Sequence, residues 1–132
     1  MTPLCCDRDN SLGIYDIYLM NADGSAVTRL TADAGSTYTP AWSPDGTRIA
    51  FRSDRDGSSD VYVINIDGTG LQDLTNDPAF DWAPSWSPDG SQIAFQTNRD
   101  DNWEIYVMDA DGTVPTNLTR NPADDQLPFF GG

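Results

Sequence analysis

The sequence predicts an all-β repeat fold of short antiparallel strands, and three observations carry that prediction. First, Pro40-Ala41-Trp42-Ser43-Pro44-Asp45-Gly46-Thr47-Arg48-Ile49-Ala50-Phe51 returns as Pro84-Ser85-Trp86-Ser87-Pro88-Asp89-Gly90-Ser91-Gln92-Ile93-Ala94-Phe95, 44 residues on. Second, the same step runs through most of the chain. Asp16-Ile17-Tyr18 recurs as Asp60-Val61-Tyr62 and Glu104-Ile105-Tyr106, Leu30-Thr31 as Leu74-Thr75 and Leu118-Thr119, and 132 residues make three periods. Third, nine Pro and eleven Gly punctuate the chain too often for a helix.

Each element follows from its residues. Pro3-Leu4-Cys5-Cys6 reads as a strand running into a turn at Asp7-Arg8-Asp9. Residues 10–15 form a loop tip, and three extra residues there are the one slip in the repeat. Residues 16–20 alternate apolar and polar with β-branched and aromatic side chains, as a strand should. Residues 26–30 form a shorter, more polar strand suited to an outer edge. Then four strands, a to d, are expected at 39–43, 48–53, 60–65 and 71–74, and again at 83–87, 92–97, 104–109 and 116–118. Ser43-Pro44-Asp45-Gly46 is a type I turn sequence, with Pro pre-setting φ and Gly closing the turn. Leu127-Pro128-Phe129-Phe130 aligns with strand a once more.

Four antiparallel strands per 40–50 residues describe a β-propeller blade. The division expected is 1–38 as strands b, c and d of an incomplete blade, 39–82 and 83–126 as complete blades, and 127–132 as a lone strand a.

The motifs Trp42-Ser43-Pro44-Asp45-Gly46, Ile49-Ala50-Phe51, Arg55-Asp56-Gly57, Asp60-Val61-Tyr62-Val63, Asp67-Gly68 and Leu74-Thr75 resemble the WD40-like Pro-Asp repeat of the TolB propeller family. The resemblance covers essentially the whole chain after residue 7. It implies a six-bladed propeller as the usual form and binding rather than catalysis as the usual task. The family's Tol–Pal role belongs to a separate N-terminal domain with no counterpart in these residues, so the resemblance does not carry it over.

Composition narrows the function classes. The 21 acidic residues against seven basic ones give a formal charge of −14; every acid but Glu104 is Asp, and every base is Arg. A helical surface would use Glu and Lys; Asp suits turns, where it bonds nearby backbone. The acidity argues against nucleic acid, whose phosphates need a basic patch, so no nucleic acid partner is expected. Anionic membrane surfaces are disfavoured likewise, and no apolar run is long enough for membrane insertion or a signal sequence. The expected location is the cytoplasm, or the periplasm if a leader has been removed. With no histidine, Ser-His and Cys-His catalysis and histidine metal ligation are excluded. Cys5 and Cys6 are adjacent and read as strand residues, since vicinal cysteines rarely pair and two thiols in tandem make no zinc site.

Three sets of residues are candidates for a site. Thr37, Asp81 and Asp125 stand three residues before Pro40, Pro84 and Pro128. At a channel mouth their carboxylates would converge and recruit a hard cation such as Ca²⁺ or Mg²⁺, with Asp81 and Asp125 as ligands, or a basic peptide. The bland alternative is that each caps its own loop. Asp54, Asp56, Ser58 and Asp60, repeated as Asn98, Asp100, Asn102 and Glu104, have the alternate spacing that opens a calcium loop. The glycine is misplaced, no Glu follows at the twelfth position, and Arg55 and Arg99 stand ready to neutralise the acids, so a structural turn is the competing reading. Finally, Trp42, Trp86 and Phe130 form one repeating column and Tyr18, Tyr62 and Tyr106 another, the mark of packing between blades. Trp82 and Trp103 read as aromatics without counterparts in the other repeats and are the better candidates for a binding surface.

The function expected is a non-catalytic interaction module for a protein or peptide, not an enzyme. Two rivals are the propeller part of a prolyl-oligopeptidase-like hydrolase and a bare self-assembling scaffold. Propellers close with roughly four to eight blades, so three blades' worth of strands predicts a homodimer of two half-propellers. Pro3 and Leu4 would meet Leu127, Pro128, Phe129 and Phe130 of the other copy at each closure.

Overall fold

The computed structural model describes residues 2–5, 16–31, 36–55, 57–75 and 78–118, with the backbone alone for 2–5. Among them, all regular structure is β, in three antiparallel sheets. The first sheet has the order β1-β2-β3, from Thr2–Cys5, Ile17–Met20 and Thr28–Arg29. The second runs β4-β5-β6-β7, from Thr37–Trp42, Arg48–Ser53, Asp60–Asn65 and Gln72–Asp73. The third repeats it as β8-β9-β10-β11, from Asp81–Trp86, Gln92–Thr97, Glu104–Asp109 and Thr116–Asn117.

Strands b and c of the second and third sheets have the bounds expected from the sequence, but strands a and d do not. Strand a begins two residues early, at Thr37 and Asp81, because it carries a bulge. The register runs Thr37↔Ser53 and Tyr38↔Arg52, then resumes at Ala41↔Ala50; the third sheet breaks the same way between Trp82 and Ser85. Thr39 and Ala83 stand at φ 50° and 54° within these bulges. The proline after each has no N–H to give a ladder, and a bulge is where a strand tolerates it. At the outer edge, strand d shrinks to two residues in all three sheets.

The tight turns account for five of the 21 acidic residues. Asp45 Oδ1 accepts from the Ser43 hydroxyl at 2.6 Å, the Thr47 amide at 3.1 Å and the Thr47 hydroxyl at 2.8 Å, and Asp89 repeats the arrangement with Ser87 and Ser91. Asp23, Asp67 and Asp111 bind the amide two residues on in the same way. These five Asp-Gly pairs are spaced by 22, half the period, because b follows a and d follows c through the same turn.

Two apolar clusters join the sheets. Ile17 and Leu19 of the first sheet pack with Ile49, Phe51, Tyr62 and Ile64 of the second, and Trp42 and Leu30 lean on them. Ala50, Val61, Val63 and Leu74 on the second sheet's other face pack with Trp86, Ile93, Phe95, Tyr106 and Met108 of the third. The middle sheet is therefore buried on both faces, and β6 is buried over its first five residues. Alternation along a strand sends neighbours to opposite faces, so one six-residue strand serves two interfaces.

Candidate binding surface

Strand a places Tyr38 in the second sheet and Trp82 in the third at the same repeat position. Across the ladder from Tyr38 is Arg52, and its guanidinium lies between the two rings, 4.5 Å from the centroid of each. The Ser59 hydroxyl accepts from Arg52 Nε at 3.0 Å and fixes the plane. Trp82 continues the row onto Trp103, with centroids 4.7 Å apart, and Phe80 stands 6.1 Å from Trp82 at the end of the row. Phe80 is 47% exposed. Burial between the rings lowers the Arg52 pKa, with Tyr38 and Asp54 opposing the shift. An arginine starts so high that it stays charged. The Trp82 indole nitrogen is shielded from solvent and has no hydrogen-bond partner. The row thus combines flat aromatic faces with one cation.

Sequence reasoning singled out Trp82 and Trp103, and they stand side by side. It missed Tyr38 and Arg52, and it set Trp82 apart as a residue without counterparts. That last point is corrected here: Tyr38 is the counterpart, one period earlier. The signal was present, but a comparison that sought only Trp passed over Tyr.

The start of strand a holds two of the three residues expected at a channel mouth. Thr37 and Asp81 are buried within β4 and β8, and Asp81 is 0% exposed. Arg99 Nη2 donates to Asp81 Oδ1 at 3.2 Å, while Oδ2 has no hydrogen-bond partner. Burial raises the Asp81 pKa, and Thr97, Arg99 and Thr75 pull it back only in part. Thr37 shares a contact of 3.3 Å with the Thr31 hydroxyl, which also donates to Asp16. Asp125 lies outside the described residues. Among the described residues, no three His, Cys, Asp or Glu side chains are grouped to hold a metal ion.

The loops between b and c use their oxygens locally. Asp54 Oδ1 accepts the Ser36 amide and Asn98 Oδ1 the Phe80 amide, both at 2.9 Å, latching the start of each strand a. Asp100 accepts from Tyr106 and Asn117, and Glu104 accepts from Asn102 and Asn117. Arg55 lies over Phe51 and Tyr62, and Arg99 over Phe95 and Tyr106, at 4.7 to 5.7 Å. Asp56 lies outside the described residues.

Of the residues expected at a closure between chains, Pro3 and Leu4 lie on β1, paired with Leu19 and Tyr18 of β2. Leu127, Pro128, Phe129 and Phe130 lie outside the described residues.

Comparison with known proteins agrees with the geometry. A TolB homolog of Chlorobium luteolum is 44% identical over 46 residues, 35% of this chain and 11% of its own length. Dipeptidyl-peptidase 5 of Porphyromonas gingivalis is 42% identical over 43 residues, 33% of this chain and 6% of its own. The solved structure of a putative TolB from Agrobacterium tumefaciens superposes with a TM-score of 0.78 at 29% identity, over 87% of this chain and 44% of that one. The chain thus spans a small part of the curated relatives it matches. The family model of the TolB beta propeller domain, PD40, matches residues 8–81, more than half of the chain, and the chain belongs to that family.

Proposed function

We propose that this propeller domain is a non-catalytic interaction module that binds an extended peptide or a protein segment along the row Tyr38, Arg52, Trp82 and Trp103. The observation that carries the reading is the row itself, with Phe80 exposed at its end. Trp, Tyr and Arg are the side chains that dominate binding energy at interfaces. The side chains of an extended segment would cover the exposed parts of the rings.

The reading as a binder rather than an enzyme is supported by the likeness to TolB, and with no histidine among the 132 residues Ser-His and Cys-His catalysis has no base here. The likeness to a dipeptidyl-peptidase keeps alive a second reading, the non-catalytic propeller part of a hydrolase. A panel of peptide substrates separates the two classes, and turnover by this chain alone would overturn the first. The periplasm is the compartment we propose, from the likeness to TolB.

Selection from a random peptide library tests the surface. Enriched peptides should bind the parent protein and lose at least about tenfold in affinity with Trp103→Ala, the size of a modest hot spot. Peptides indifferent to Trp103→Ala and Phe80→Ala would remove the row from the site.

A further inference from the structure

Arg52 stands at a strand position that the repeat fills in three ways. It pairs with Val61 across the ladder of strands b and c. The residues paired with Ile17 and Ile105, 44 positions to either side of Val61, are Cys5 and Gln96. The blade therefore needs no arginine there. Arg55 and Arg99 are the contrast: they recur one period apart, each over the Phe and Tyr of its own sheet, and belong to the packing. Arg52 and its acceptor Ser59 give way to Gln96 and Trp103 in the third sheet, so a single cation interrupts the row of rings.

The surroundings of Arg52 leave one edge of its guanidinium for a ligand. The Tyr38 and Trp82 rings, each with its centroid 4.5 Å away, cover the two flat faces. Nε donates to the Ser59 hydroxyl at 3.0 Å, and the two terminal nitrogens donate to no described group. Arg29 and Arg99 have carboxylate partners in Asp16 and Asp81, whereas Arg52 has none among the described residues. Asp54 is the acid whose charge reaches it, and Asp54 Oδ1 is engaged by the Ser36 amide at 2.9 Å. A planar fork fixed by its faces and its Nε, with both Nη groups unengaged, is the geometry that takes a carboxylate through two parallel hydrogen bonds.

We propose that Arg52 binds the carboxylate at the C-terminal end of an otherwise apolar peptide, whose last residues lie over Trp82, Trp103 and Phe80. Two observations choose this ligand. Three rings lie to one side of Arg52 and Tyr38 alone to the other, which suits a segment that stops there. The chain carries a formal charge of −14, which repels a partner with several acids but leaves room for one carboxylate at one arginine. The proposal rests on the reading of the row as a peptide-binding surface, and adds the chemistry of the peptide and the direction in which it lies.

The test is a peptide library with free C-termini selected on the 132-residue protein, each enriched peptide being remade as its C-terminal amide. The acid should bind the parent at least about tenfold more tightly than the amide, the size of a charge-assisted pair. Arg52→Met should abolish that difference. Arg52→Lys, which keeps the charge without the fork, should keep only a small part of it. Circular dichroism checks that both variants fold, and if Arg52→Met fails to fold, Arg52→Lys decides. Equal binding of acid and amide, both weakened by Trp103→Ala, keeps the row and overturns the carboxylate site. A preference for the acid that survives in Arg52→Met, or a dependence on an Asp or Glu side chain within the peptide instead of its terminus, overturns it too. No enrichment, or peptides indifferent to Trp103→Ala, Phe80→Ala and Arg52→Met alike, overturns the row and the proposal together.

Discussion

The Trp86 indole and the Ala41 carbonyl are joined by a 3.0 Å hydrogen bond that crosses from one sheet to the next. Trp86 is 7% exposed and sits in the cluster with Val61, Val63, Phe95 and Met108. It therefore combines aromatic packing with a directional tie between sheets. Trp86→Ala should cost about 3–5 kcal/mol, the usual range for a large aromatic lost from a core. Trp82→Ala, at a half-buried position, should cost well under half of that. Denaturant titration of the two variants checks the order, and equal small effects would mean that the Trp86 column is not core.

Much of the fold was legible because its punctuation is chemical. Ser43-Pro44-Asp45-Gly46 specifies a turn by itself, and strands b and c have apolar residues on both faces, so their bounds needed no tertiary information. Strand a was less legible: Thr37 and Tyr38, ahead of the bulge at Thr39, were not expected to be strand, and only pairing with β5 shows the strand reaching back to Thr37. The binding row was half legible. Trp82 and Trp103 stood out as aromatics off the packing columns, but Arg52 is a b-strand residue whose role depends on which rings the neighbouring sheet places over it. The ion pair of Asp81 with Arg99, just past the end of β9, was not legible either, because only the pairing of β8 with β9 brings the two together.

Two glycines in the same kind of turn should respond differently to alanine. Gly68 and Gly112 both stand at φ 88°, so each loses the freedom that only glycine has there. A Cβ at Gly68 meets nothing within 4 Å, whereas one at Gly112 falls 2.8 Å from the Leu74 carbonyl oxygen. Gly68→Ala should cost about 1–2 kcal/mol from backbone strain alone. Gly112→Ala should cost more, because the backbone of the second sheet must shift. Thermal melts of the two variants compare them directly, and an equal loss would mean that the two sheets do not approach closely at Leu74.

The turn aspartates predict an acid limb in stability. Hydrogen bonds from Ser43 and Thr47 hold Asp45 down to about 2, and those from Ser91 and Ser87 hold Asp89 down to about 2, from 3.8. Asp23, Asp67 and Asp111 are lowered by the same kind of bond. A folded-state pKa below the unfolded value contributes stability that is present above 3.8 and lost as pH falls toward 2. Urea midpoints should therefore drop steeply between about pH 4 and about pH 2. The double variant Asp45→Asn with Asp89→Asn should show a shallower drop, though a lower plateau at neutral pH. An unchanged slope would mean that these bonds do not hold in solution.

Asp81 should behave with the opposite sign. Its carboxylate is fully buried, and that burial raises its pKa against the pull of Thr97, Arg99 and Thr75. A folded-state value above the unfolded one favours the fold at low pH, and the benefit is lost as pH rises from 3.8 through the raised value. Asp81→Asn should remove this dependence and leave the melting temperature at neutral pH unchanged or higher. Arg99→Met strips the charge partner and should be costly, about 3–5 kcal/mol for a buried charge left alone. The cost should shrink toward acid pH, where Asp81 takes up a proton, and in the double variant with Asp81→Asn. Calcium enters the same experiment. The Arg99 guanidinium 3.2 Å from Asp81 already supplies the positive charge that a cation would bring. Millimolar Ca²⁺ is therefore expected to leave the parent's melting temperature where it was, since only a ligand of the native state raises it. A rise that vanishes in Asp81→Asn would show instead that the carboxylate exchanges its arginine for the ion.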